Sequence, residues 1–345
     1  MIENQVIIPQ HNELKTLMVS LGRPSGGGPD DFTYEWVHLY QSLKALAYQA
    51  DFFDYLDSRF CGNRADMQRA LFTQIQYRKY DLVIFTFNFD HFDCDFIRSL
   101  SSITKTFCFF MDDNWRQDFV SKWAPCFDAF STAMPGGEQF YKDLGIHHAV
   151  FFPFGVNEKI FFPAQQIKKD IDVSFVGAWH PYREWLIKKL RKAGFSIKTF
   201  GYRWPEGSLS LEQMIDVFRR SKISLNLSNS ISFDVRYFLT SPRGLLNTFR
   251  SKKKGEQIKG RHFEIPACKT LQLSNYVEGL EHLFDIGNEI AIFVSPEDLM
   301  SKVKFYLSHD DAREAMAIDG YQRILKDHAY SKRFLDIFQK LKWCR

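Results

Sequence analysis

The chain has little that would place it in a membrane, on nucleic acid or in a disulfide scaffold. Its 345 residues hold no apolar run approaching the ~20 that span a bilayer. The opening stretch, MIENQVIIPQHNELK, shows no basic segment followed by an apolar one, so no secretory leader is expected. The six cysteines (Cys61, Cys94, Cys108, Cys126, Cys268 and Cys344) form no CxxC pair and find no histidine at zinc spacing. That usage suits reduced thiols in a cytoplasmic protein. A formal net charge of +4 is too small to imply nucleic acid as a partner. No short-period repeat is visible, which excludes a solenoid. The glycines at 26–28 are not followed by the Lys-Ser/Thr of a P-loop, so they serve equally well as a mobile loop.

The composition itself is that of an ordinary globular protein, 45% hydrophobic and 25% charged. Its length suits two domains. The 35 phenylalanines are read mainly as core packing. One basic run, Arg250 with Lys252, Lys253 and Lys254, fits either an anionic membrane surface at the inner face or a solvated loop.

Along the first half, apolar strand candidates alternate with helical spacing. Strands are expected at 14–21, 50–56, 80–87, 104–111, 127–132 and 149–152, with helices at 35–49, 66–77, 95–102 and 136–144 between them. Residues 151–170 read as a linker, with prolines and a Gly-Val-Asn turn. The alternation then restarts, with strands at 172–176, 196–200, 223–227, 271–273 and 290–294, and the end of the chain is helical. Strands separated by helices argue for parallel, doubly wound α/β sheets. Ligands of such sheets bind at the carboxyl ends of the strands, so two units joined by a linker would enclose a cleft.

The residues suited to nucleotide-sugar chemistry lie mostly in the second half. Arg261, His262 and Glu264 precede a helix that Ile265, Pro266, Ala267 and Cys268 would open. A helix start attracts phosphate, an arginine clamps a diphosphate, and a carboxylate accepts both hydroxyls of a ribose. The plainer roles are a surface salt bridge for Arg261 and a dipole partner for Glu264. Gly177, His180 and Arg183 follow a strand, Tyr202 follows the next, and Asn226 and Ser228 end a third; all are placed to line the cleft. In the first half, Asp112 and Asp113 end a strand, and His91 and Asp93 follow its neighbour. Asp112, Asp113 or His91 is the expected general base, unless the carboxylates merely cap helices. The Asp93/Asp95 and Asp170/Asp172 pairs match a metal-binding DxD by chance alone, and no metal site is expected.

These segments resemble a known family. VSFVG at residues 173–177 and the following Arg183 are similar to the opening of the second domain in CgeB-like glycosyltransferases, named for a spore maturation protein. Arg261, Phe263, Glu264, Ala267 and Cys268 match an R-x-F-E-x-x-A-C-G segment. Tyr306, Leu307, His309 and Arg313, then Gly320, Tyr321, His328 and Arg333, match the tail pattern, and PFGVNEKIFFP resembles the interdomain junction of GT-B enzymes. The resemblance implies a GT-B fold: a Rossmann-like acceptor domain (residues 1–160), a Rossmann-like nucleotide-sugar domain (161–330) and a helix (331–345) returning to the first. It implies a metal-independent hexosyl- or related transferase with no cofactor, taking a nucleoside-diphosphate sugar and passing its sugar to a glycan, lipid, protein or small-molecule acceptor. The lack of a clear base favours retention of the anomeric configuration. Lys269 stands where the family has glycine, which would crowd the phosphates. Gln257 stands where related retaining enzymes carry a second glutamate. Those departures keep a non-catalytic sugar-nucleotide-binding or assembly protein in view; a nucleotide-sugar 2-epimerase, built on the same two-domain plan, is the other rival. A periplasmic two-lobed binder would share the topology but is disfavoured by the absence of a leader.

Overall fold

The computed structural model describes residues 14–23, 32–47, 49–228, 234–240 and 256–341. The glycines at 26–28 and the basic run at 250–254 lie outside the described residues. Two all-parallel sheets make up the molecule. The first is built from β1 (Lys15–Ser20), β2 (Gln49–Asp54), β3 (Leu82–Phe85), β4 (Lys105–Cys108), β5 (Ala129–Thr132) and β6 (Ala149–Phe151), in the order β2-β1-β3-β4-β5-β6. The second contains β7 (Ile171–Val176), β8 (Ile197–Phe200), β9 (Ser221–Asn226), β10 (Leu271–Asn275) and β11 (Ala291–Phe293), ordered β11-β10-β9-β7-β8. Helices cover both faces, so strands such as LVIF of β3 are buried along their whole length.

Strand order reverses between β1 and β3 in the first sheet and between β7 and β9 in the second. At such a reversal the connections leave to opposite faces, and a crevice opens beyond the carboxyl ends of the strands. The fold therefore puts the residues after β7 and β9 where a ligand can enter.

The helix Tyr330–Lys340 comes back to the first domain. Tyr330, Phe334, Ile337 and Phe338 pack among Met18, Leu39, Leu43, Ile84, Phe107 and Phe152, all buried. Where the chain crosses, the Arg333 side chain is buried and donates to the Pro153 carbonyl at 2.6 Å and to His328 Nδ1 at 2.7 Å. His328 Nε2 donates to the Leu283 carbonyl at 2.7 Å. A Cβ at Gly155 would lie 2.7 Å from the His328 carbonyl, so only glycine lets the two passes of chain meet.

Three expectations are corrected by this structure. Cys94 and Cys126 form a disulfide joining the start of the helix Cys94–Leu100 to the turn Ala124–Cys126; Cys61, Cys108 and Cys268 are free thiols. Their spacing carries no pairing signature, because the fold rather than the sequence brings the two together. The helix expected to open at Ile265 already spans Arg261–Ala267, with Pro266 inside its last turn. The carbonyl of His262, which a proline four residues on cannot satisfy, is approached by Gln272 Nε2 at 3.5 Å. The helix expected at 35–49 is π-helical over Glu35–Tyr40 and α-helical only over Gln41–Leu46. Among the described residues no helix is long and apolar enough to cross a membrane.

Candidate functional site

The interface between the domains contains a knot of buried polar groups centred on Glu264, which is 3% exposed. One carboxylate oxygen is paired with Arg261 Nη1, and the other lies 2.9 Å from His38 Nε2 of the first domain. The backbone N–H of Asn157 donates to His38 Nδ1 at 3.0 Å. Nδ1 is therefore the bare nitrogen, and Nε2 carries the proton that it donates to Glu264. Burial, together with the nearby Arg261 charge, holds His38 down at about 3, so the ring is neutral. Phe161 stacks on the ring at 4.9 Å, and Asn157 Nδ2 donates to the Val37 carbonyl at 3.0 Å.

Three residues expected at the donor pocket, Arg261, His262 and Glu264, lie in or beside this knot. Each Glu264 oxygen already meets one partner, Arg261 on one side and His38 of the first domain on the other, at the residue expected to hold a ribose. The start of the helix Arg261–Ala267 is covered by Tyr34: a Cβ on Gly260 would meet the Tyr34 ring at 2.6 Å. Tyr34 in turn donates to the Gly155 carbonyl at 2.7 Å and lies 3.1 Å from the Tyr330 hydroxyl. Arg261 spans Glu264 and the Val176 carbonyl, which its Nε reaches at 3.2 Å, and it remains 31% exposed. His262 is fully buried between helix and sheet, with Nδ1 receiving the Lys259 N–H at 3.1 Å and Nε2 3.3 Å from Ser274 Oγ. Burial holds its pKa down at about 4, and its place is structural.

Beside the knot, at the β7/β9 reversal, polar atoms are left over. Arg183 Nη1 donates to the Ala178 carbonyl at 2.8 Å and Nη2 to the Ser228 carbonyl at 3.4 Å. Its Nε is buried and has no partner among the described residues; neither has the amide nitrogen of Asn226, a residue 6% exposed at the end of β9. Gly177 belongs to the same turn: a Cβ on Gly201 would lie 2.3 Å from the Gly177 carbonyl, so the turns after β7 and β8 touch through backbone. Ser228 is fixed by Asn275 Oδ1, which accepts from its N–H at 2.8 Å and from its hydroxyl at 3.0 Å. His180 accepts the Tyr182 N–H at 3.3 Å as the cap of the helix Pro181–Lys192, and the Tyr202 side chain is 70% exposed.

The first domain separates the three base candidates. Asp113 is fully buried and sewn to β5, accepting from Thr132 Oγ1 at 2.5 Å and from the Ala133 N–H at 3.2 Å; burial pushes it up to about 6. Asp112 faces the second domain, 3.9 Å from Lys259 Nζ. His91 lies against Tyr55, and burial lowers its pKa. Asp93 is held by Arg64 at 2.8 Å and Gln68 at 2.9 Å, Asp170 by Arg220 at 2.7 Å, and Asp172 by Lys222 at 2.7 Å.

Lys269 lies at the opposite end from the helix start expected to receive phosphate. It follows the far end of the helix Arg261–Ala267, at φ 55°, with its N–H donating to the Pro266 carbonyl at 2.9 Å and its own carbonyl accepting from Lys169 Nζ at 3.0 Å. It occupies the left-handed position that usually ends a helix, which explains why glycine would be expected there. Gln257 is 7% exposed, and its amide nitrogen donates to the Met111 carbonyl of the first domain. Sequence reasoning missed His38, Glu35 and Ser42. They are buried polar residues at i, i+3 and i+7 of a segment read only for its apolar face, and that stripe was the available signal.

Residues 183–339, somewhat under half of the chain, match the model of a glycosyl transferase-like family. No curated protein matched. Among solved structures, the chain is similar to sucrose-phosphate synthase from Thermosynechococcus elongatus, at 11% identity and a TM-score of 0.65, covering 95% of this chain and 98% of that one. A glycosyltransferase from Rickettsia africae superposes at 11% identity and a TM-score of 0.64, covering 95% and 98%. Anabaena HepE, solved in complex with UDP and glucose, gives 10% identity and a TM-score of 0.61, covering 96% and 100%. Two doubly wound parallel sheets with a helix crossing back to the first domain, superposed over nearly the full length of these proteins, give the chain the GT-B fold.

Proposed function

We propose that the chain is a glycosyltransferase of the CgeB-like kind that takes a nucleoside-diphosphate sugar at the carboxyl ends of β7 and β9. The observation that carries this reading is the pair of buried, unpartnered donors there, Arg183 Nε and Asn226 Nδ2. Burying a donor without a partner costs about 1–3 kcal/mol, and a diphosphate would relieve both at once. The matched family segment begins at Arg183 itself, and the Anabaena neighbour binds UDP at the same fold.

In the transfer, an acceptor hydroxyl oxygen forms the new bond to the anomeric carbon while the bond from that carbon to the diphosphate breaks. The diphosphate leaves with the electron pair. Arg183 and Asn226 meet that developing charge as fixed donors, and the reading calls on no metal. The acceptor proton passes to a base, for which Asp112 is the candidate that faces the second domain. Gln257 cannot serve, because a carboxamide has no basic site near neutral pH. Glu264 and His38 hold the domains in register rather than touching the sugar.

The test is calorimetric titration of the full chain with UDP, GDP, dTDP and CMP, with EDTA present, followed by assay of sugar release from the matching donor. Tight binding of one nucleotide, weakened more than about tenfold by Arg183→Ala, is expected. Binding of none of them sinks the proposal; binding without turnover on any acceptor moves the protein to the non-catalytic reading.

A further inference from the structure

A wall between the domains carries leftover acceptors: Gln257 Oε1 and Asn114 Oδ1 are buried with no partner among the described residues. Their amide nitrogens are engaged, Gln257 with the Met111 carbonyl and Asn114 with the Glu256 carbonyl at 3.4 Å. A group of another kind lies at the reversal of the first sheet, where β1 and β3 end. Glu35 opens the π-helical turn after β1 and is 8% exposed. Its hydrogen-bonding neighbours are the side chains of Thr86 and Thr33 and its own backbone. Thr86 comes directly after β3 and is buried. The Thr33 hydroxyl already donates to the Leu21 carbonyl at 2.6 Å, which leaves Thr86 and the backbone to serve the carboxylate. Among the described residues no lysine, arginine or histidine pairs with Glu35. Ser20, the last residue of β1, is fully buried, and its hydroxyl has no partner among the described residues.

We propose that the acceptor hydroxyl is seated at the β1/β3 reversal, beside Glu35 and Ser20, and that Glu35 rather than Asp112 takes its proton. The proposal rests on the transferase reading above and adds the residue that receives the acceptor. Sheets of this kind bind ligands at such a reversal. A carboxylate buried there without a cation is costly, and burial raises the Glu35 pKa from the usual carboxylate range. That shift makes it a better proton acceptor near neutral pH. The titratable groups that sense its charge are the phenols of Tyr55 and Tyr330, both pushed up by burial. Asp54, which Tyr55 also senses, accepts from the Gly22 N–H at 3.1 Å and the Leu56 N–H at 2.9 Å. Asp112, by contrast, has a cation, Lys259 Nζ, 3.9 Å away. In the transfer, the acceptor O–H bond breaks as its oxygen bonds to the anomeric carbon, and the proton stays on the Glu35 carboxylate. The diphosphate leaves with the electron pair of the broken bond. The step neutralises a buried charge, so the cost carried by the resting carboxylate is relieved as the reaction proceeds. The Ser20 hydroxyl gains the partner it lacks.

The experiment follows sugar release to water by the full chain, from the donor whose nucleotide binds, across a range of pH. Calorimetric titration of that nucleotide runs beside it. Glu35→Gln should lower kcat by about 100-fold and erase the acid limb of the pH profile, with nucleotide affinity within about twofold. Glu35→Asp should keep the acid limb at a reduced kcat, which a merely structural glutamate would not do. Ser20→Ala should cost about fivefold, the worth of one neutral hydrogen bond. Turnover by Glu35→Gln within about threefold of the unaltered chain overturns the proposal. So does nucleotide binding with no sugar release at any pH. Should Glu35→Gln lose nucleotide binding altogether, Glu35→Asp carries the test, and turnover equal to that of the unaltered chain then overturns the proposal. Binding of no nucleotide by the unaltered chain counts instead against the transferase reading itself.

Discussion

The knot around Glu264 and the two walls beside it are made from the same residue types, yet their polar atoms have opposite fates. In the knot the groups are largely paired with one another. His38 gives its proton to Glu264 and takes the Asn157 N–H; Arg261 pairs with the other carboxylate oxygen; Arg333 and His328 satisfy carbonyls of both domains. In the walls atoms are stranded: donors on Arg183 and Asn226, acceptors on Gln257 and Asn114. Saturated polar clusters fix geometry, whereas a buried polar atom with no partner is a debt that a ligand can settle. Residue type alone therefore says little about function here; what each side chain already touches says more.

The sharpest way to break the comparison is acid. His38, His262 and His328 are buried and neutral, with pKa values held at about 3, about 4 and about 3. As pH falls below ~6.5 the unfolded chain takes up three protons that the folded chain refuses, so stability falls. Asp113, pushed up to about 6, works the other way: its contribution is present at low pH and is lost as pH rises from ~4 toward 6. The histidines outnumber it, so between pH 6 and 5 the unfolding free energy should drop by about 2–3 kcal/mol per pH unit. Urea midpoints that stay flat from pH 7 to 5 would show the knot is not neutral.

Next in size is His38→Ala, which strands Glu264 and the Asn157 N–H together. About 3 kcal/mol of stability should be lost, read as a lower thermal midpoint. A loss below about 0.5 kcal/mol would place the knot among ordinary surface pairs. Arg183→Ala should give the opposite signature: stability within about 1 kcal/mol of the unaltered chain, with nucleotide affinity down more than about tenfold. If the two variants behaved alike, the division into spent and stranded groups would fail. The smallest effect is expected from Lys269→Gly. Relieving a left-handed lysine at φ 55° should add about 1 kcal/mol of stability and leave nucleotide binding unchanged.

Much of the architecture was legible in the sequence because buried parallel strands such as LVIF and IDVSFV are continuous apolar runs between helical spacings. The return of the last helix followed from the resemblance. Within the site, proximity was harder to see than residue type. Glu264 and Arg261 were singled out for a ligand, but their partner His38 lies more than two hundred positions earlier in the chain, and no local pattern links them. The Cys94–Cys126 bond was hidden for the same reason. Pro266 was read at a helix start, whereas it lies in the last turn, where Gln272 approaches the carbonyl of His262 that it leaves free.

The helix Tyr330–Lys340 also sets an order of events during synthesis. Met18, Leu39, Ile84, Phe107 and Phe152 wait for Phe334, Ile337 and Phe338, which emerge from the ribosome after the whole second domain. Each such aromatic or aliphatic side chain is worth about 1.5–3 kcal/mol when buried. A nascent first domain therefore carries an open apolar face through most of translation, while the second can close its own core earlier. Chaperone dependence should accordingly fall on the half of the protein that is made first.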